Sequence, residues 1–82
     1  LVTLRFESAD QPGALARIAT LIGETGGNIM EVAHHRLFLD VPVKAADLDF
    51  TIETRDAAHT ETLLAKLRAA GLKPRELTAS GQ

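Results

Sequence analysis

The sequence contains no cysteine, no tryptophan and no tyrosine. Without cysteine there is no disulfide framework, no CxxC metal site and no thiol nucleophile. Three phenylalanines are the only aromatic residues, which is thin for a platform that stacks bases. Charge of one sign is lacking too. Nine Lys and Arg stand against 11 Asp and Glu, a net charge of −2, so the basic footprint of a nucleic-acid binder is missing. No apolar run approaches the roughly 20 residues of a membrane helix, and no secretory leader opens the chain. These absences lead to the expectation of a cytoplasmic protein with neither a nucleic-acid nor a membrane partner. The chain opens on Leu1 rather than Met, as expected of a segment of something longer.

What is present suits one small domain, expected over residues 1–78 with a frayed tail at 79–82. A chain of 82 residues buries roughly 60% of its unfolded surface, so its stability is modest and self-association would help it. VTLRFE, residues 2–7, alternates strictly and reads as a half-buried strand. Leu15, Ile18, Ala19 and Ile22 make one apolar helical stripe within residues 14–25, and Gly26-Gly27 stops that helix. Gly23 inside the last turn suggests close packing on a sheet. NIMEVAHHRL, residues 28–37, alternates imperfectly, with Ile29-Met30 and Val32-Ala33 as adjacent apolar pairs, which suits an edge strand with a bulge or one with both faces partly covered. Residues 38–45 form a connection around Pro42, and Leu48, Phe50 and Ile52 mark a third strand over 46–54. Asp56 is placed to cap a second helix, Ala57 to Ala70, with Leu63, Leu64, Leu67 and Ala70 as its stripe. LKPRELT, residues 72–78, gives a last strand that Pro74 confines to an edge.

The order β-α-β-β-α-β is the ferredoxin-like split arrangement, an α+β sandwich. It predicts a four-stranded antiparallel sheet with both helices on one face. The other face would carry Thr3, Arg5, Glu7, Asp47, Asp49 and Thr51 toward solvent.

That fold hosts many functions, so function rests on a site. Ser8 and Ser80 are the only serines, and no histidine stands at a spacing that calls for either. GETGG, residues 23–27, ends a helix and is therefore no phosphate loop. His34 and His35 are consecutive on a strand, so they point to opposite faces and do not share a metal. His59, in the first turn of the second helix, is expected at the surface.

The more informative stretch is Asp10-Gln11-Pro12-Gly13. Pro12 fits a first helical position, where its missing N–H costs nothing. Gly13 leaves the backbone open to a ligand. A helix N-terminus favours a carboxylate, and Asp10 beside it can accept from an ammonium group. Together they are complementary to a free α-amino acid, while Asp10 acting only as a helix cap is the simpler alternative. Asn28 starts the second strand. It lies at the opposite end of the sheet from residues 10–13, so the two are far apart within one chain. If two copies pair edge to edge through the second strand, Asn28 of one nears the 10–13 loop of the other. Leu15 and Ile29 would then supply an apolar wall. The alternative for Asn28 is a residue that merely tolerates the turn after a helix.

DQPGALARIATLIGETGGNI, residues 10–29, resembles the pattern of the ACT domain family: a D/N-x-P-G turn, a helix, then G-x-N-I. The resemblance implies a small ligand-sensing module that binds amino acids at dimer interfaces. It places ligand contacts at Ser8, Asp10, Gln11, Gly13 and Asn28. In serine-sensing members a histidine lies two residues before the loop asparagine. Ser8 and Asp10 stand at those places here, which argues against serine. NIMEVAHHR, residues 28–36, and DLDFTIETRDAAHTETLLAKLRAAG, residues 47–71, are similar to the C-terminal regulatory domains of threonine ammonia-lyases. That narrower likeness implies an attached catalytic domain carrying pyridoxal phosphate, with no cofactor in this chain. Lys44, Lys66 and Lys73 are accordingly not given the cofactor's lysine role. It also implies isoleucine as effector, opposed by valine.

Overall fold

Alternating strands and two striped helices assemble as their patterns require. The computed structural model describes residues 1–7, 12–36 and 46–77. The elements are β1 (Val2–Phe6), α1 (Ala14–Glu24), β2 (Asn28–Arg36), β3 (Ala46–Glu53), α2 (Ala57–Ala69) and β4 (Arg75–Leu77). The sheet order is β2-β3-β1-β4 and every neighbouring pair is antiparallel. This is the expected ferredoxin-like α+β sandwich. The expected connection over 38–45, with Pro42 and Lys44, and the tail at 79–82 lie outside the described residues.

One core joins sheet and helices. Val2, Leu4 and Phe6 of β1 and Leu48, Phe50 and Ile52 of β3 face Ile18 and Ile22 of α1 and Leu63, Leu64 and Leu67 of α2. Phe6 and Phe50 meet edge to face, their ring centres 5.7 Å apart at 86°, the geometry aromatic quadrupoles favour. Both helices therefore lie on the same face.

Each helix ends on a left-handed glycine. After α1, Gly26 has a φ of 85°, and after α2 Gly71 has a φ of 89°. Gly26 N donates to Gly23 O and Gly27 N to Ile22 O; Gly71 N donates to Arg68 O and Leu72 N to Leu67 O. This paired bonding satisfies the last carbonyls of each helix. Asp56 caps α2 as expected, its Oδ1 accepting from His59 N at 2.8 Å.

Several expectations need correction. Gly23 is not a close-packing site, because a β-carbon there would meet nothing within 4 Å. The tight glycine is Gly27. Pro12 is not the first helical residue, because Gly13 is the N-cap of α1, with φ 83°. Its left-handed backbone turns the chain into the helix and leaves Pro12 one step outside. The last strand is only Arg75–Leu77, and Pro74 precedes it. Asp49 is not solvated: it is only 9% exposed. Arg5 lies across it, with Nε donating to Oδ1 at 2.8 Å and Nη2 to Oδ2 at 2.9 Å. The hydrogen bond to Asp49 raises the Arg5 pKa above its ordinary value.

β2 is an edge strand, and it carries the expected bulge. Its register shifts between Ile29, opposite Ile52, and Glu31, opposite Thr51. The extra residue, Met30, is 55% exposed. Val32 pairs with Phe50 on the helix side yet remains 41% exposed, so the helices leave this edge partly uncovered.

Candidate functional site

Of the residues singled out in the sequence, Ser8, Asp10 and Gln11 lie outside the described residues. Pro12, Gly13, Leu15, Asn28 and Ile29 are described and fall into two groups. Pro12 and Gly13 follow β1 and open α1. Asn28 and Ile29 open β2.

The first group surrounds a helix start that has no side-chain cap among the described residues and no acid in its first turn. The first bond of α1 runs from Arg17 N to Gly13 O at 2.9 Å. The earlier backbone N–H groups are the ones a helix leaves without an internal partner. Beside this turn is a cavity of about 320 Å³, floored by Phe6, Ile18 and Leu72 and rimmed by Arg17 and Lys73. Arg17 spans it, donating from Nη2 to the carbonyl of Ala70 at 2.6 Å, so the start of α1 is tied to the end of α2. Sequence reasoning missed these two cations, because nothing in the local pattern places the α2–β4 turn beside Gly13.

The second group lies at the other end. Asn28 pairs with Glu53 and Phe6 with Leu48, five residues back along β3. At about 3.3 Å per residue that is roughly 17 Å. One chain therefore does not bring Pro12-Gly13 and Asn28 together, as the topology requires. Asn28 is exposed; its Nδ2 is 3.4 Å from Glu53 Oε1 and 3.3 Å from Met30 Sδ. Ile29 packs against the core, whereas Leu15 is 49% exposed. Met30 and Val32 thus leave apolar surface along the β2 edge, and Leu15 leaves more on α1.

A residue expected at the surface is in fact inside. His59 is 4% exposed. Its Nδ1 accepts from the backbone N–H of Arg55 at 3.1 Å, and its Nε2 lies 2.6 Å from the carbonyl oxygen of Thr25. The signal was present in the sequence: His59 stands four residues before Leu63 and eight before Leu67, on the same helical stripe.

Among the described residues, no group of three His, Cys, Asp or Glu is arranged to hold a metal ion. No described helix is long and apolar enough to cross a membrane. What the geometry offers is an α+β sandwich with backbone donors at a helix start, an exposed amide at Asn28 and an uncovered strand edge.

That class narrows to a family. Residues 2–72 match the ACT domain, and the chain belongs to this family. Over 66 residues it is 35% identical to an L-threonine ammonia-lyase of Thermotoga maritima, a match covering 80% of this chain and 16% of that protein. It is also 35% identical over 68 residues to the L-threonine ammonia-lyase of Geobacter sulfurreducens, covering 83% and 17%. The chain thus spans 16–17% of the length of these relatives. Among solved structures, an ACT domain protein from Streptococcus pneumoniae superposes with a TM-score of 0.62 at 18% identity, over 96% of this chain and 89% of that one. The regulatory subunit of aspartate kinase from Thermus thermophilus, in its ligand-free form, gives 0.61 at 18% identity, over 93% and 48%. These two likenesses concern the fold alone.

Proposed function

We propose that this chain is the amino-acid-sensing regulatory domain of a threonine ammonia-lyase, and that its effector binds between two copies. One observation carries the reading. The start of α1 and the Asn28 end of β2 lie at opposite ends of parallel strands, and β2 is an edge of the four-stranded sheet. A two-fold axis beside β2 inverts the second copy. The Pro12-Gly13 turn of one then faces Asn28 of the other, at two equivalent places. The helix start takes a carboxylate, with Asp10 offered to the ammonium group and Ser8 and Gln11 completing the loop. Leu15 and Ile29 supply the apolar wall that a branched side chain wants. Isoleucine and valine are the favoured effectors.

Deamination of threonine to 2-oxobutanoate belongs, on this reading, to an attached cytoplasmic catalytic domain with pyridoxal phosphate. Of the described lysines, Lys66 Nζ pairs with Glu24 at 3.1 Å and Lys73 lines the cavity at the α2–β4 turn, and this reading gives neither of them the cofactor's role. The domain's own part is to couple occupancy to assembly. An effector shifts that equilibrium only by its difference in affinity for the two arrangements, typically about 1–3 kcal/mol.

The test is thermal unfolding against isoleucine, valine, threonine and serine. A ligand at 100 times its Kd stabilises by about 2.7 kcal/mol. In a domain this small that raises the midpoint by more than about 10 °C. Isoleucine or valine is expected to give the rise, and Asn28→Ala to abolish it while the chain still dimerises. A flat panel would reject the reading in favour of a module that only dimerises.

A further inference from the structure

The end of the sheet that carries Asn28 also holds an exposed cation. β3 ends at Glu53, and the chain turns through Arg55 and Asp56 into α2. Alongside, α1 closes through Thr25 and Gly26 toward Asn28. His59 joins the two turns, accepting from Arg55 N at Nδ1 and meeting Thr25 O at Nε2. Since Nδ1 accepts, the ring proton sits on Nε2 and is donated to the Thr25 carbonyl. Both turns are thereby fixed to one rigid ring.

The guanidinium of Arg55 rests along the glycine turn. A β-carbon on Gly26 would stand 3.4 Å from Arg55 Nη1 and 3.7 Å from His59 Nε2. Arg55 is exposed, and among the described residues its guanidinium has no carboxylate partner. Glu53 is two residues before it, with its carboxylate at the Asn28 amide. A cation, an amide and an acid thus share one end of the sheet, beside the left-handed turn at Gly26. That sequence of groups is complementary to a zwitterion.

We propose that Arg55 takes the carboxylate of the bound α-amino acid, and that His59 is the positioning residue that holds Arg55 and the Asn28 turn in place. The inference rests on the amino-acid-sensing reading above. In the two-fold arrangement the carboxylate lies between Arg55 of one copy and the start of α1 of the other. Both carry positive potential, and the planar guanidinium fits a carboxylate through two bonds.

The experiment is calorimetric titration with L-isoleucine, L-valine and their amides at pH 6.5, where the amine of every ligand is protonated. The wild-type protein is expected to prefer the acid over its amide by about tenfold or more, the size of a charge-assisted contact. In Arg55→Gln that preference falls to about threefold or less, because the residue that senses the carboxylate's charge is gone. His59→Leu loses it likewise although Arg55 is intact, and His59→Gln, which keeps a donor toward Thr25, restores most of it. Arg55→Gln that discriminates as the wild type does overturns the proposal and leaves the sensing reading standing. A wild-type protein that binds none of the four ligands overturns both. If His59→Leu does not fold, Arg55→Gln, altered at an exposed side chain, still decides the carboxylate contact and His59→Gln the positioning role.

Discussion

Gly27 lies so close to Ile52 that a β-carbon added there would stand 3.1 Å from Ile52 Cγ2, and 3.0 Å from Ile22 Cγ2. This contact, not the flexibility of glycine, fixes where the chain passes from α1 into β2. Gly27→Ala must push apart two fully buried side chains, at a cost of about 1–3 kcal/mol. Gly23→Ala meets no neighbour within 4 Å and removes an unfolded-state freedom, so it stabilises by about 0.4–1 kcal/mol. Urea unfolding of the two variants should move the midpoint in opposite directions. A shared direction would show that the turn relaxes around Gly27.

The asymmetry between these glycines explains what was legible beforehand. Strand alternation and helical stripes are local, so Val2, Leu4, Phe6, Ile18, Ile22 and Leu63 are placed by pattern alone, whereas the adjacent pairs Ile29-Met30 and Val32-Ala33 admit the bulge without choosing it. Which of Gly23 and Gly27 is crowded depends on Ile52, from a distant strand, and no local rule carries it. The same holds for Asp49, whose burial depends on Arg5 lying across it from β1. His59 is a different case. Its stripe position is legible from its spacing to Leu63 and Leu67. For the candidate site, the separation of Gly13 from Asn28 follows from strand order, while Arg55 beside Gly26 needs the β3–α2 turn in three dimensions.

Arg5 and Asp49 should respond unequally to truncation. Arg5→Ala strips two charge-assisted bonds from a carboxylate that solvent barely reaches, whereas Asp49→Ala frees a guanidinium that water can already solvate. The larger loss of stability is expected from Arg5→Ala. A double-mutant cycle by denaturant unfolding measures the coupling, and equal single losses would mean that Asp49 is served by its other contacts.

The α2 cap gives a smaller effect of definite size. Asp56 accepts from His59 N at 2.8 Å, one of the donors the helix start leaves open. Asp56→Ala should cost about 1 kcal/mol and Asp56→Ser much less. Because the cap sits at the residue that carries the buried imidazole, Asp56→Ala should also speed amide exchange at Arg55. Unchanged exchange there would show that the ring holds that turn without the cap.

The uncovered β2 edge makes the strongest claim on assembly. Val32 faces the helix side by its pairing with Phe50, but it is 41% exposed, and Leu15 of α1 is 49% exposed. A charge on an edge strand is the ordinary guard against pairing with a second chain. Val32→Lys places an ammonium group where a second copy would bury apolar surface, yet the long side chain reaches solvent in the isolated chain. Sedimentation should show wild-type dimer giving way to monomer, with the unfolding transition still cooperative. Isoleucine should then no longer raise the melting midpoint, because each site needs the start of α1 from one copy and Asn28 from the other. A Val32→Lys protein that dimerises with unaltered affinity would place the contact on another surface. A monomer that still responds to isoleucine would place the whole effector site within one chain, with the cavity between Gly13, Arg17 and Lys73 as its location.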